Sequence, residues 1–299
     1  MLINGLLFNS EAWHGVEKED IKKLEKVDEL LLRSLLGSHQ KTPIEFLYLE
    51  TGSFPISFLV SIRRMIYLRT LLVRDETELT KRILLEQQKN PTKGDFIELV
   101  KEDLMKIGKE LNENLEEFII QTKESVYKKI IKQLVRNATF ESLVNIQQSH
   151  TKVKHIKYEQ LKCEKYLTSG MFSNEEITIL SSLRSHTLRT IRCNFKNLYK
   201  GDLNCPLKCS PDGTSPHLDT QQHLISCNKI IQNLSDSQMA ISVKTIKYED
   251  IYGHVYEQKA IVSLMLKDKK PNNRKQQPAY QWAIYGSGPE HFTVLCEHL

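Results

Sequence analysis

Residues 21–37 read Ile-Lys-Lys-Leu-Glu-Lys-Val-Asp-Glu-Leu-Leu-Leu-Arg-Ser-Leu-Leu-Gly. Ile21, Leu24, Val27, Leu31 and Leu35 recur every three or four residues, the period of one helix face, and Gly37 supplies the residue that most readily ends a helix. The same pattern continues downstream. Thr42-Pro43-Ile44-Glu45 has the form of a capping box with proline at the first helical position, and Gly52 stops the short helix it opens. Pro55 then starts an apolar helix through Ile62, Met65, Ile66 and Leu72, with Arg63, Arg64 and Arg69 interspersed. Asp75 and Glu78 begin another, running to about Lys89, and Asn90-Pro91-Thr92-Lys93-Gly94 is a turn. Two further amphipathic helices are expected over about 95–110 and 115–148. The chain is therefore expected to be mainly α.

Working outward, Met1–Phe8 is apolar but short, with no basic leader and no small-residue cleavage site, so it reads as core. Beyond residue 148, Ser149–Lys157 is polar and basic and reads as a boundary. Ser173-Asn174-Glu175-Glu176 is a second capping box, opening a helix through Ile177, Leu180, Leu183 and Leu188. Residues 201–216 then hold three prolines, two glycines and two cysteines, the composition of a small loop or finger. A helix from about Asp219 carries His223 and Cys227, and an apolar stretch follows from Ile251 to about Leu266. From Lys267 onward no apolar periodicity remains, and disorder is expected. These shifts divide the chain into a helical region at 1–150, a basic helical connector at 151–200, a finger with its following helix at 201–266, and a tail at 267–299.

Composition bounds the function. In 299 residues, 40% are apolar and 26% charged, with a formal charge of +5 and pI near 8.7. Residues 151–200 hold ten Lys/Arg against four Glu, so this segment carries the whole excess. No stretch reaches the roughly 18–20 apolar residues that span a bilayer, so no membrane partner is expected. Six cysteines, three of them clustered with a histidine, do not form a secreted disulfide pattern. A reducing intracellular compartment, nucleus or cytoplasm, fits.

One constellation carries chemistry. Cys205-Pro-Leu-Lys-Cys209 is followed after thirteen residues by His223-Leu-Ile-Ser-Cys227. Two thiolates on a turn, then a His and a Cys one helical turn apart on one face, can present four ligands tetrahedrally to a structural Zn(2+). His217 is the rival fourth ligand. Cys163, Cys193 and Cys296 lack partners at metal spacing. Ahead of and within this finger, Arg184, Arg189, Arg192, Lys196, Lys200 and Lys208 interleave with Phe195 and Tyr199, cations for phosphate and rings for unpaired bases. The alternative for each charge is a solvated helix face.

Several segments together resemble the C-terminal part of non-LTR (LINE-type) retrotransposon reverse transcriptases. Leu7-Phe-Asn-Ser-Glu-Ala-Trp13 is similar to the passage from palm to thumb. Thr42–Glu45, Leu49-Glu-Thr-Gly-Ser-Phe-Pro-Ile56 and the Arg63-Arg64 helix resemble the helical thumb. Lys93-Gly-Asp-Phe96, Leu183-Arg-Ser185 and Asn194-Phe195 resemble landmarks of the connecting region. The segment around Asp219-Thr-Gln-Gln-His223 resembles the family's Cys-Cys-His-Cys finger, with Lys208 an extra residue in the cysteine pair. The resemblance covers roughly residues 5–265. It implies a thumb-like bundle that contacts a template–primer duplex, a finger that contacts RNA or DNA, and a polymerase core upstream as a partner. The paired catalytic aspartates that two-metal nucleotidyl transfer needs are missing, because the chain has no Asp-Asp pair. The expectation is thus a non-catalytic nucleic-acid-binding remnant without a small-molecule substrate. The competing expectation is a helical protein-interaction scaffold in which zinc is only a clip.

Overall fold

The computed structural model describes residues 5–13, 18–187, 258–259 and 262. These are mainly α, with no strand among the described residues. A 3-10 turn at Ser10–Ala12 precedes nine α-helices: α1 (Lys18–Leu36), α2 (Ile44–Thr51), α3 (Ile56–Leu72), α4 (Leu79–Lys89), α5 (Phe96–Lys106), α6 (Glu113–Gln121), α7 (Glu124–Ser149), α8 (Lys165–Thr168) and α9 (Asn174–Arg184). None is long and apolar enough to cross a membrane. The described chain gathers into two units. One takes in the described part of Met1–Leu32 with Leu47–Ser149 and Lys157–Cys163. The other takes in Arg33–Phe46, His150–Ile156 and the described residues from Glu164 on.

In the first unit α3 is the central element. Its apolar residues are spread around the helix with three arginines among them, and it packs against α4, α5, α6, α7 and the 3-10 turn. Met65, Leu68, Leu71 and Leu72 meet Leu84 of α4, Ile97 and Val100 of α5, Ile119 of α6, and Tyr127, Ile131 and Val135 of α7. Each fully buried side chain of this size contributes about 1.5–3 kcal/mol. At its start α3 packs Ile56 and Val60 on Leu7, with Trp13, Ile21 and Leu24 alongside.

Three differences from the sequence expectation have identifiable causes. In α1 the buried positions are Asp28, Leu32 and Leu36, while Val27, Leu30, Leu31 and Leu35 are exposed. Asp28 occupies the inward face because its carboxylate accepts the Tyr48 hydroxyl at 2.9 Å, and burial raises its pKa above the ordinary carboxyl value. Second, the helix expected over 115–148 is two helices. Thr122 is extended, and its carbonyl accepts two N–H groups of Arg69, at 2.8 and 3.2 Å, so it cannot continue the helical ladder. Third, Thr42 and Glu45 are committed elsewhere. The Thr42 hydroxyl meets that of Thr187 at 3.2 Å, and Glu45 lies 3.3 Å from His150 Nε2.

Polar groups cross-link the first unit. Arg63 donates to the Leu7 carbonyl, Lys81 donates to the Leu72 carbonyl at the end of α3, and the Tyr127 hydroxyl donates to the Met65 carbonyl at 3.0 Å. Asp103 of α5 is 1% exposed. Its Oδ1 accepts from Ser61 and, at 2.8 Å, from Lys106, while Arg64 Nε lies 3.2 Å from Oδ2 as an ion pair outside hydrogen-bond alignment. Residues 157–163 strap the same unit. The Tyr158 hydroxyl donates to buried Glu50 at 2.6 Å, Arg136 donates to the Leu161 carbonyl at 2.6 Å, and the backbone at 162–163 lies against Gly52.

In the second unit Arg33 donates to the carbonyls of His39 and Thr42, at 2.7 and 2.8 Å, which fixes the loop after Gly37. Ser38 and Ser181 share a hydrogen bond at 2.9 Å. The expected capping box of α9 is fully formed. Ser173 accepts from the Glu176 amide, and Glu176 accepts from the Ser173 amide. Glu176 also binds Lys259, whose ammonium group donates to the Met171 carbonyl and lies 5.2 Å from the centre of the Phe172 ring.

Candidate nucleic-acid interface

Of the residues expected to contact nucleic acid, Arg184 alone lies within the described residues. It closes α9, which the capping box starts and which the left-handed His186 (φ 52°) stops. The Arg184 side chain is 3% exposed, with Nη2 3.7 Å from Glu164 Oε2 and its guanidinium 5.6 Å from the centre of the Tyr166 ring. Tyr166 in turn meets Phe172 edge-to-face at 6.2 Å. Arg184 is thus corrected from a phosphate contact to an internal one, because burial and the ion pair keep it from the surface. Arg63, Arg64 and Arg69 of α3, the helix that resembles part of a thumb, also have internal partners. Arg189, Arg192, Phe195, Lys196, Tyr199, Lys200 and Lys208 lie outside the described residues, as do Cys205, Cys209, His217, His223, Cys227, Leu188 and the tail at 267–299.

Beside Arg184 stands a histidine pair that no spacing in the sequence announces. His155, in the turn after α7, faces His186 with ring centres 4.5 Å apart and planes tilted by 49°. Burial pushes the His186 pKa down to about 4, helped by the neighbouring His155 and Lys152; His155 is lowered by burial and then by the Arg184 charge. Both rings are therefore held neutral at pH 7. The signal available in the sequence was the run Lys152-Val-Lys154-His155, inside the stretch that reads as a boundary. Two imidazoles alone do not make a metal site, and no group of three or more His, Cys, Asp or Glu side chains suited to a metal ion occurs among the described residues.

The pair has a pH consequence. An unfolded histidine has a pKa near 6.5, so between about pH 6.5 and 4 the unfolded chain binds more protons at this position than the folded one. The stability that neutral His186 preserves is complete above pH 6.5 and is lost as pH falls toward 4, by about 1–2 kcal/mol after allowance for partial solvent screening. His186→Asn keeps a residue tolerant of the left-handed backbone. Urea midpoints from pH 7.5 to 4 are expected to fall less steeply in His186→Asn than in the wild type.

Comparison of the chain with protein-family models, with curated proteins and with solved structures finds no match. The reverse-transcriptase resemblance rests on the residues quoted for it.

Proposed function

We propose that this protein binds RNA or DNA without catalysing its synthesis, and that a structural zinc held by Cys205, Cys209, His223 and Cys227 shapes the binding region. The observation that supports this reading most is the ligand set itself. Three thiols and an imidazole fall within one short window, with the last two ligands four residues apart. The concentration of Lys and Arg ahead of that window adds the charge that phosphate recognition requires. Zinc in such a donor set is closed to substrate and supplies folding energy, not chemistry. The missing Asp-Asp pair argues against two-metal nucleotidyl transfer by this chain.

Purified full-length chain is expected to carry one zinc per molecule and to bind single-stranded RNA with an affinity that falls steeply with salt. Cys209→Ser combined with Cys227→Ser is expected to abolish zinc by elemental analysis and to weaken RNA binding at least tenfold. Zinc-free wild type, or RNA affinity indifferent to salt, would sink the reading.

A second reading has its own support. Arg63, Arg64, Arg69 and Arg184 are all engaged inside the protein, as they would be in a helical scaffold whose partner is another protein. That reading expects zinc to be present and RNA binding to be absent, so the same two measurements separate them.

A further inference from the structure

We infer that the turn Thr151–His155, with Lys152 and Lys154 as its cations and the His155–His186 ring pair beside them, is a phosphate- and base-contacting surface for single-stranded RNA. The inference rests on the nucleic-acid reading above and moves the contact away from Arg184 to residues the sequence pattern did not single out.

The turn is a built platform. Its backbone is fixed where the amides of Val153 and Lys154 donate to the His150 carbonyl, at 3.1 and 3.0 Å. Val153 and Ile156 are buried and anchor it, while Lys154 and His155 are exposed and Lys152 is half-buried. Side chains held on a fixed base lose less freedom on meeting a ligand. No hydrogen bond or ion pair to the Lys152 or Lys154 ammonium group occurs among the described residues.

The local charge balance is positive. Of the carboxylates near this turn, Glu45 faces His150 at 3.3 Å, and Glu164 faces Arg184 at 3.7 Å. Burial is the main cause that lowers the pKa of His186 and His155, and the charges of Lys152 and Arg184 add to it, as positive neighbours do. The same potential attracts phosphate. An exposed imidazole next to it offers a face on which an unpaired base can stack. Rings in a duplex are already stacked on one another, which is why the occupant is a single strand.

The test is equilibrium binding of the full-length, zinc-loaded chain to a single-stranded RNA 20-mer over 0.05–0.3 M salt. Lys152→Gln combined with Lys154→Gln removes two contacts. The slope of log K against log salt is then expected to shrink by about 1.4, and affinity at 0.1 M salt to drop roughly 10- to 30-fold. Lys22→Gln combined with Lys23→Gln on α1 changes net charge equally, at residues paired with Glu19 and Asp20, and is expected to leave the slope within error. His155→Ala is expected to weaken RNA binding several-fold without changing the slope, a stacking loss rather than a charge loss. Circular dichroism verifies that each variant is folded. If the wild type binds RNA with a steep slope and the turn variant matches the α1 control, the inference falls while the nucleic-acid reading stands. If the zinc-loaded wild type binds DNA but not RNA, the inference alone falls; if it binds neither, both fall.

Discussion

Asp103→Ala is expected to destabilise the first unit by about 3–5 kcal/mol, the range found when one member of a buried ion pair is removed. The carboxylate is 1% exposed and accepts from Ser61 and Lys106, with Arg64 against its second oxygen. Lys106 can swing into water when its partner goes, since its side chain is 41% exposed. Arg64 cannot, at 12% exposure, and is left as a charge without its counter-charge between α3 and α5. Asp103→Asn should cost less, because an amide oxygen still accepts from Ser61 and Lys106. Replacing both partners, Asp103→Leu with Arg64→Met, should recover most of the loss, because two apolar side chains need no partner. Urea midpoints at constant m-value measure all three.

The second large effect concerns Gly52, which ends α2 at φ 64°. A Cβ here would stand 2.3 Å from the Cys163 amide nitrogen and 2.5 Å from the Lys162 carbonyl carbon, both backbone atoms that no rotamer change can move. Gly52→Ala therefore combines a left-handed penalty of about 1–2 kcal/mol with an overpacking cost of about 1–3 kcal/mol. A total loss near 3–4 kcal/mol is expected. Gly94→Ala separates the two terms. Gly94 has φ 88° but nothing within 4 Å of its would-be Cβ, so it should show the backbone penalty alone. Thermal unfolding of the two variants side by side reads the difference.

How much of this was legible in the sequence depended on how local the cause was. Gly37, Gly52, Pro55 and the Ser173–Glu176 box act on their own few residues, and each marks an element boundary in the structure. The break at Thr122 was hidden because its cause, Arg69, sits on another helix. The rotation of α1 was hidden for the same reason: an Asp looks like a solvent residue until Tyr48 supplies its hydrogen bond. Arg184, expected among the phosphate contacts, is 3% exposed. Arg63, Arg64, Arg69 and Arg184 have the composition of a phosphate-binding face, yet a guanidinium with five donors serves equally well to collect internal carbonyls and carboxylates. The candidate site divides along the same line. The residues proposed to hold zinc were legible as spacing and lie outside the described residues, whereas the histidine pair exists only through tertiary proximity.

The strap at 157–163 bears on how such a protein can be cut and inherited. A gene break near codon 150, just past the end of α7, would leave Glu50 buried without the Tyr158 hydroxyl and Arg136 without the Leu161 carbonyl. It would also uncover the glycine notch that the 162–163 backbone fills. Recombination or fragment cloning can therefore free the first unit intact only from a breakpoint beyond Cys163, which makes the polar stretch after α7 a poor seam despite its linker-like composition.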